Sequence, residues 1–231
     1  MKFNHTDKIG EIVTRFPKAA DVFQKYNIDY CCGGKDSLEN AAKDLAIDAQ
    51  SIILELDSYF LKSNNNKSTD WTQAPFQALI NQILQAHHAY LHTNLSPISE
   101  LTKTILRAHG ANHPELLKVF QDFNTLKSEL EVHLIKEETI QYPAIEKYLN
   151  TLDINDLKSA VDVISELESE HTVAGDLLKS LRTITNNYQV PHDGCNTYRH
   201  AYLKLEELEK NTFTHIHLEN NILFPRLKEL L

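Results

Sequence analysis

Glycine and proline are scarce in this sequence, six and seven among 231 residues, which excludes collagen-like, loop-dominated and sheet-rich architectures that need frequent turns. Cysteine is scarcer still, with three residues, two of them adjacent. An odd, clustered set cannot form the disulfide framework of a secreted domain, so a reducing, cytoplasmic setting is expected. No run approaches the ~18 consecutive apolar residues of a membrane span, and the start, Met1 to Asp7, lacks the apolar centre of a signal peptide. Positive charge is in deficit too. A net charge of −9 leaves no basic surplus for nucleic acid or an anionic membrane, and neither is an expected partner.

Apolar residues make up 42% and charged residues 24% of the chain, and with so few breakers this balance predicts an all-α fold. A polar stretch without apolar periodicity separates two regions and reads as a linker, residues 63–74. Before it, residues 1–62 carry short helical patterns, Ile9 to Phe16 and Ala19 to Tyr26. Cys31-Cys32-Gly33-Gly34 interrupts them, and they resume with Ser37 as an N-cap. After it, residues 75–231 hold four long segments, about Pro75 to Arg107, Pro114 to Leu149, Asn155 to Tyr188 and Thr197 to Leu231. Short connections between them predict an up-down-up-down four-helix bundle.

A repeat lies inside that bundle. His133-x3-Glu137-x5-Pro143 recurs 82 residues later as His215-x3-Glu219-x5-Pro225, and a lone histidine, His88 or His171, precedes each copy by 45 or 44 residues. Residues four apart on an α-helix sit about 40° apart around the axis and about 6 Å along it, so each His/Glu pair can address one point. All six lie in apolar stripes: Leu84, His88, Leu91 and Leu95; Leu126, Leu130, His133, Glu137 and Ile140; Ile164, Leu167, His171, Ala174 and Leu178; Leu208, Thr212, His215, Glu219 and Ile222. Pro143 and Pro225 should kink or end their helices just past each Glu. Burying four imidazoles and two carboxylates is costly unless they bind a cation. Six N/O donors without thiolate exceed one tetrahedral zinc and suit a pair of iron or manganese ions. Two bridging carboxylates and one oxo or hydroxo bridge would make each metal five-coordinate, with an open position for a small molecule.

These features, with Glu168-Ser-Glu170-His171 and Asp29-Tyr30-Cys31-Cys32-Gly33-Gly34, resemble the RIC (repair of iron centres) proteins, the ScdA/YtfE/DnrN group, over nearly the whole chain. The resemblance implies an ScdA-type amino-terminal domain joined to a hemerythrin-like bundle. It further implies a non-haem di-iron protein of the nitrosative and oxidative stress response, whose partners are damaged iron-sulfur proteins and nitric oxide or oxygen species. Its iron ligands fall on His88, His133, Glu137, His171, His215 and Glu219. Nitric oxide reduction at the di-iron centre and a homodimer are left open.

Cys31 and Cys32, in a Gly-rich turn, are candidates for thiol chemistry or iron transfer, with packing as the alternative. Glu129 and Glu170 are candidates to hydrogen-bond a ligand histidine or to line a polar path to the metals, and His92 is a neighbour of the centre rather than a ligand. Helical geometry turns Glu138 and His217 away from the ligands, and Cys195 reads as incidental. Tyr30, Tyr90, Phe120, Phe123, Phe213 and Phe224 read as core. Two rival functions remain. A hemerythrin-like carrier or sensor would bind oxygen or nitric oxide without turnover, although hemerythrins are expected to carry five histidines and a His-x4-Asp motif. A metal-free interaction bundle is the other.

Overall fold

The computed structural model describes residues 3–63 and 69–231, and all regular structure among them is helical apart from an isolated antiparallel bridge between Lys8 and Ser37. Residues 64–68, inside the expected linker, lie outside the described residues. No described helix is long and apolar enough to cross a membrane. The chain forms two compact units. One comprises residues up to Leu79 together with Phe213–Leu230, and the other comprises Ile80–Thr212 with the terminal Leu231. The breaks between these units fall after Leu79 and after Thr212, inside helices.

In the first unit, α1 (Ile9–Arg15), α2 (Ala19–Lys25), α3 (Leu38–Asp44) and α4 (Ala49–Ser63) bury Ile9, Ile12, Val22, Phe23, Leu38, Ile52 and Leu56. Ser37 caps α3, its hydroxyl accepting from the Asn40 amide at 3.2 Å. The carboxy-terminal residues join this unit through specific bonds. Arg226 donates to the Trp71 and Ala74 carbonyls at 2.9 and 2.7 Å and stacks over Phe76 at 4.3 Å, while Tyr30 packs edge-on against Phe213.

Helix α5 (Phe76–Ile83) runs on through a π-helical turn, Leu84–His88, into α6 (Ala89–His109), the first rod of the bundle. The second rod is α7 (Glu115–Lys136), a π turn at Glu137–Gln141, and α8 (Tyr142–Thr151). The third breaks at Val163 into α9 (Ile154–Asp162) and α10 (Ile164–Ile184). The fourth is α11 (Asn196–Leu218), a π turn at Glu219–Leu223, and α12 (Phe224–Lys228). In the second unit α7 packs between α6 and α10. α11 joins them from the other side, through Arg182 to Glu209 and through Asn211 to His87 and the Ala86 carbonyl. Leu91, Leu126, Leu130, Leu167, Leu178 and Leu208 fill the centre.

The π turns correct the expectation for the prolines. A proline has no N–H and crowds the carbonyl four residues back. Here the helix neither ends nor breaks but widens for one turn: the Tyr142 amide bonds to the Glu137 carbonyl, and the Phe224 amide to that of Glu219, each five residues back. The widening acts as a one-residue insertion, so the inward register shifts. Ile140, expected in the core stripe, is 50% exposed, and Gln141 is buried in its place. Leu84, in the first π turn, is half-buried, as are Tyr90 and Phe120; Tyr30, Phe123, Phe213 and Phe224 are core.

Candidate metal centre

Within the second unit, His88, His133, Glu137 and His171 are brought together, each at most 2% exposed. His88 closes one π turn and Glu137 opens another. His133 stands one turn before Glu137 on α7, and His171 comes from α10. The Glu137 carboxylate is the hub. Its Oε2 lies 3.2 Å from His88 Nε2, its Oε1 lies 3.1 Å from His133 Nε2, and His133 Nε2 is 3.0 Å from His171 Nε2.

Carboxylates stand behind two of the imidazoles. His88 Nδ1 is 2.8 Å from Glu138 Oε1, which also meets His92 Nε2 at 2.8 Å, and His133 Nδ1 is 2.8 Å from Glu170 Oε2. Each carboxylate accepts a hydrogen bond from Nδ1–H, the tautomer that turns an Nε2 lone pair inward, as in carboxylate–histidine–metal sites. Burial pushes the Glu138 carboxyl up, but the bonds from His92 and His88 outweigh it and hold the group below its ordinary range. Glu170 is likewise lowered: burial raises it, and Lys136 and His133 overcome that. Nε2 lone pairs aimed at a buried carboxylate and at one another at 3.0–3.2 Å form a donor set that suits a cation at their common point.

The second copy of the repeat lies in the first unit. His215 Nε2 is 3.1 Å from Glu219 Oε2, both residues are 0% exposed, and Glu219 opens its own π turn. His217 and Asn221 lie on the same segment. Asn221 Nδ2 is 3.3 Å from His217 Nδ1, and His217 Nε2 is 3.5 Å from Thr14 Oγ1. Burial depresses the His217 pKa to about 4, so it stays neutral.

Comparison with known proteins adds to this geometry. Residues 79–227 match the hemerythrin HHE cation binding domain, and residues 5–59 match the ScdA amino-terminal domain, described as a domain of unknown function (DUF542). The iron-sulfur cluster repair protein ScdA of Staphylococcus haemolyticus is 32% identical over 218 residues, covering 94% of this chain and 96% of that protein. The iron-sulfur cluster repair protein YtfE of Escherichia coli O157:H7 is 35% identical over 219 residues, 94% of each. The chain belongs to the ScdA/YtfE family, the RIC group. Its cation-binding domain covers both copies of the His/Glu repeat.

The remaining candidates of this family member divide. Glu170 bonds a histidine of the cluster, whereas Glu129 is exposed at the edge of the Leu126–Leu130–His133 stripe and faces solvent. Glu138, set aside on helical geometry, does point away from Glu137, but only as far as His88 on the neighbouring rod. No single-helix argument could find that bond; a glutamate next to a ligand was the available signal. A cleft of about 350 Å³ opens beside it, lined in part by His88, His92, Glu138, Tyr142 and Glu146.

Cys31 is a buried thiol. It is 1% exposed, and burial, with Cys32 and Asp29 beside it, pushes its thiol well above the ordinary range. Cys32 is half-buried. Cys195 is the exposed thiol, 3.3 Å from His109 Nε2. Amide bonds from Tyr198 and the His109 contact lower its pKa to about 7.

Proposed function

We propose that this chain is a di-iron protein that helps restore iron-sulfur clusters damaged by nitrosative or oxidative stress. In this reading His88, His133, Glu137, His171, His215 and Glu219 would hold the iron. The observation that carries it is the convergence of His88 and His133 on the buried Glu137 carboxylate, with Glu138 and Glu170 presetting the imidazoles. The names of the relatives supply the repair role, and the HHE match supports a bound cation.

When bound, iron would supply electrons and a binding site for a diatomic molecule. The protein's own groups do the rest. Glu138 and Glu170 hold the tautomers that keep Nε2 deprotonated, and the cleft beside His88 and His92 admits small molecules or releases iron. Four neutral imidazoles make the ligand set less anionic than a carboxylate-rich cage, so iron is held less tightly and can be delivered. Cys31 and Cys32 are the contact with thiolate-ligated clusters, in a reducing, cytoplasmic setting.

A metal count with optical spectroscopy tests the reading. Aerobically purified protein should hold close to two irons per chain with oxo-bridged ferric absorption, and His171→Ala should lose much of both. Full iron retention in that variant would remove His171 from the ligand set. Loss of both cysteines should abolish repair of a damaged iron-sulfur enzyme while sparing any nitric oxide reduction. The cleft that reaches His88 also favours a second reading, a hemerythrin-like binder or sensor of oxygen or nitric oxide without turnover. Reversible oxygenation without autoxidation would decide for it.

A further inference from the structure

The loop after α2 is built more tightly than packing requires. The Asp29 carboxylate Oδ1 accepts the Cys31 and Cys32 amides at 3.0 and 2.9 Å and stands 3.2 Å from Cys31 Sγ. Asn221 Nδ2 donates to the Cys31 and Tyr30 carbonyls at 3.1 and 3.4 Å, clasping the turn from the other side. Two glycines permit this approach: a Cβ on Gly34 or Gly10 would come within 2.5 or 2.4 Å of Asn221 Oδ1. The backbone is thus fixed around three side chains whose ligand atoms all lie within 4.8 Å of one another.

Their spacing is that of a coordination polyhedron. Cys31 Sγ and Cys32 Sγ are 3.8 Å apart, far beyond a disulfide bond. A tetrahedral centre with metal–sulfur bonds of about 2.3 Å and metal–oxygen bonds of about 2.1 Å has sulfur–sulfur edges of about 3.8 Å and sulfur–oxygen edges of about 3.6 Å. The sulfurs match, and the Asp29 oxygen at 3.2 Å needs only a few tenths of an ångström. Cys31 is buried while Cys32 and Asp29 are half-buried, so a cation has an approach from one side only.

We propose that Asp29, Cys31 and Cys32 form a second metal site, a cradle of two sulfurs and one oxygen that holds one borderline-soft divalent cation with a fourth position open to a client ligand or water. Binding converts both thiols to thiolates, their two protons passing to solvent, with no change in oxidation state. That the physiological cation is ferrous iron in transit rests on the repair reading; the site itself does not.

The test uses the full chain carrying its own iron, reduced and anaerobic, titrated with Co²⁺. One equivalent should develop thiolate-to-cobalt charge-transfer absorption, lost in Cys31→Ser/Cys32→Ser and unchanged in Cys195→Ser. Asp29→Asn, which keeps an acceptor for the two amides, should weaken binding by about 10-fold or more with an unchanged melting temperature. Absence of the band in the wild type, or its survival in the double-serine variant, overturns the site, and wild-type affinity in Asp29→Asn overturns the three-donor assignment. Iron is counted in the same samples. Cobalt bound at the thiols of a chain that holds no iron supports this site and counts against the di-iron reading, and two irons with no cobalt band does the reverse.

Discussion

The two copies of the His/Glu repeat share a backbone and differ in what stands behind it. In both, the glutamate opens a π turn and a proline follows six residues on. Two positions after the first histidine of each copy the environments invert: Ile135 is 58% exposed, whereas His217 is 3% exposed. The apolar residue faces water and the polar one is buried. The first copy is backed by ionised carboxylates, Glu138 and Glu170, that serve the imidazoles. In the second, the nearby His217 and Asn221 bond each other, and Asn221 holds the cysteine loop. The two copies thus share the His/Glu pair, while residues beside it bond cluster histidines in the first and hold the amino-terminal loop in the second.

The largest expected effect tests the shared part. Glu137→Ala and Glu219→Ala should each cost most of the bound iron, a loss on the order of 10- to 100-fold in affinity or more, read as iron per chain. If one variant keeps its iron, the two copies are not equivalent ligands. Next comes the carboxylate backing of the first copy. Glu138→Gln and Glu170→Gln should each weaken iron binding by about 10-fold, measured by competition with a chelator, with the fold unchanged by circular dichroism.

The anchoring role is tested by a matched pair at equivalent outer positions. Asn221→Ala removes the clasp on the Tyr30 and Cys31 carbonyls and should cost about 1–3 kcal/mol. Thr139→Ala, at an exposed site, should stay within about 0.5 kcal/mol. Equal losses in chemical denaturation would erase the distinction drawn between the copies.

Legibility of the sequence followed the same divide. The inward pattern rests on helical period, so the four rods and the clustering of His88, His133, Glu137 and His171 could be read from spacing alone. The outward pattern depends on what another helix or loop brings, and spacing is blind to that. Glu138 could not be paired with His88 without the neighbouring rod, nor Asn221 with Cys31 without the amino-terminal loop. Ile140 was misplaced for a different reason: period counting assumes an α-helix throughout, and a π turn shifts the register by one. Pro143 and Pro225 marked that turn, but as a break rather than a widening. Glu129 sits at the stripe's margin, where one helix cannot decide between core and solvent, and it is exposed.

The smallest expected effect lies away from both copies, at His113. Burial disfavours its charged form, but its bonds to Asp193 and Glu115 outweigh this and raise its pKa above the ordinary 6.5. A raised folded-state value contributes stability that is fully present below the unfolded pKa and is lost as pH rises through the folded one. His113→Gln should therefore destabilise the protein slightly below pH ~6.5 and converge with the wild type at alkaline pH. A deficit that grows with pH would contradict the assigned partners.

The central claim, that both copies contribute to one two-iron centre, is tested most directly by a Mössbauer spectrum of the full chain loaded with isotopically enriched iron, with iron quantified in the same sample. The account predicts two irons per chain, coupled into a diamagnetic ferric pair. A single magnetically isolated iron, or no iron retained by the folded protein, would contradict it.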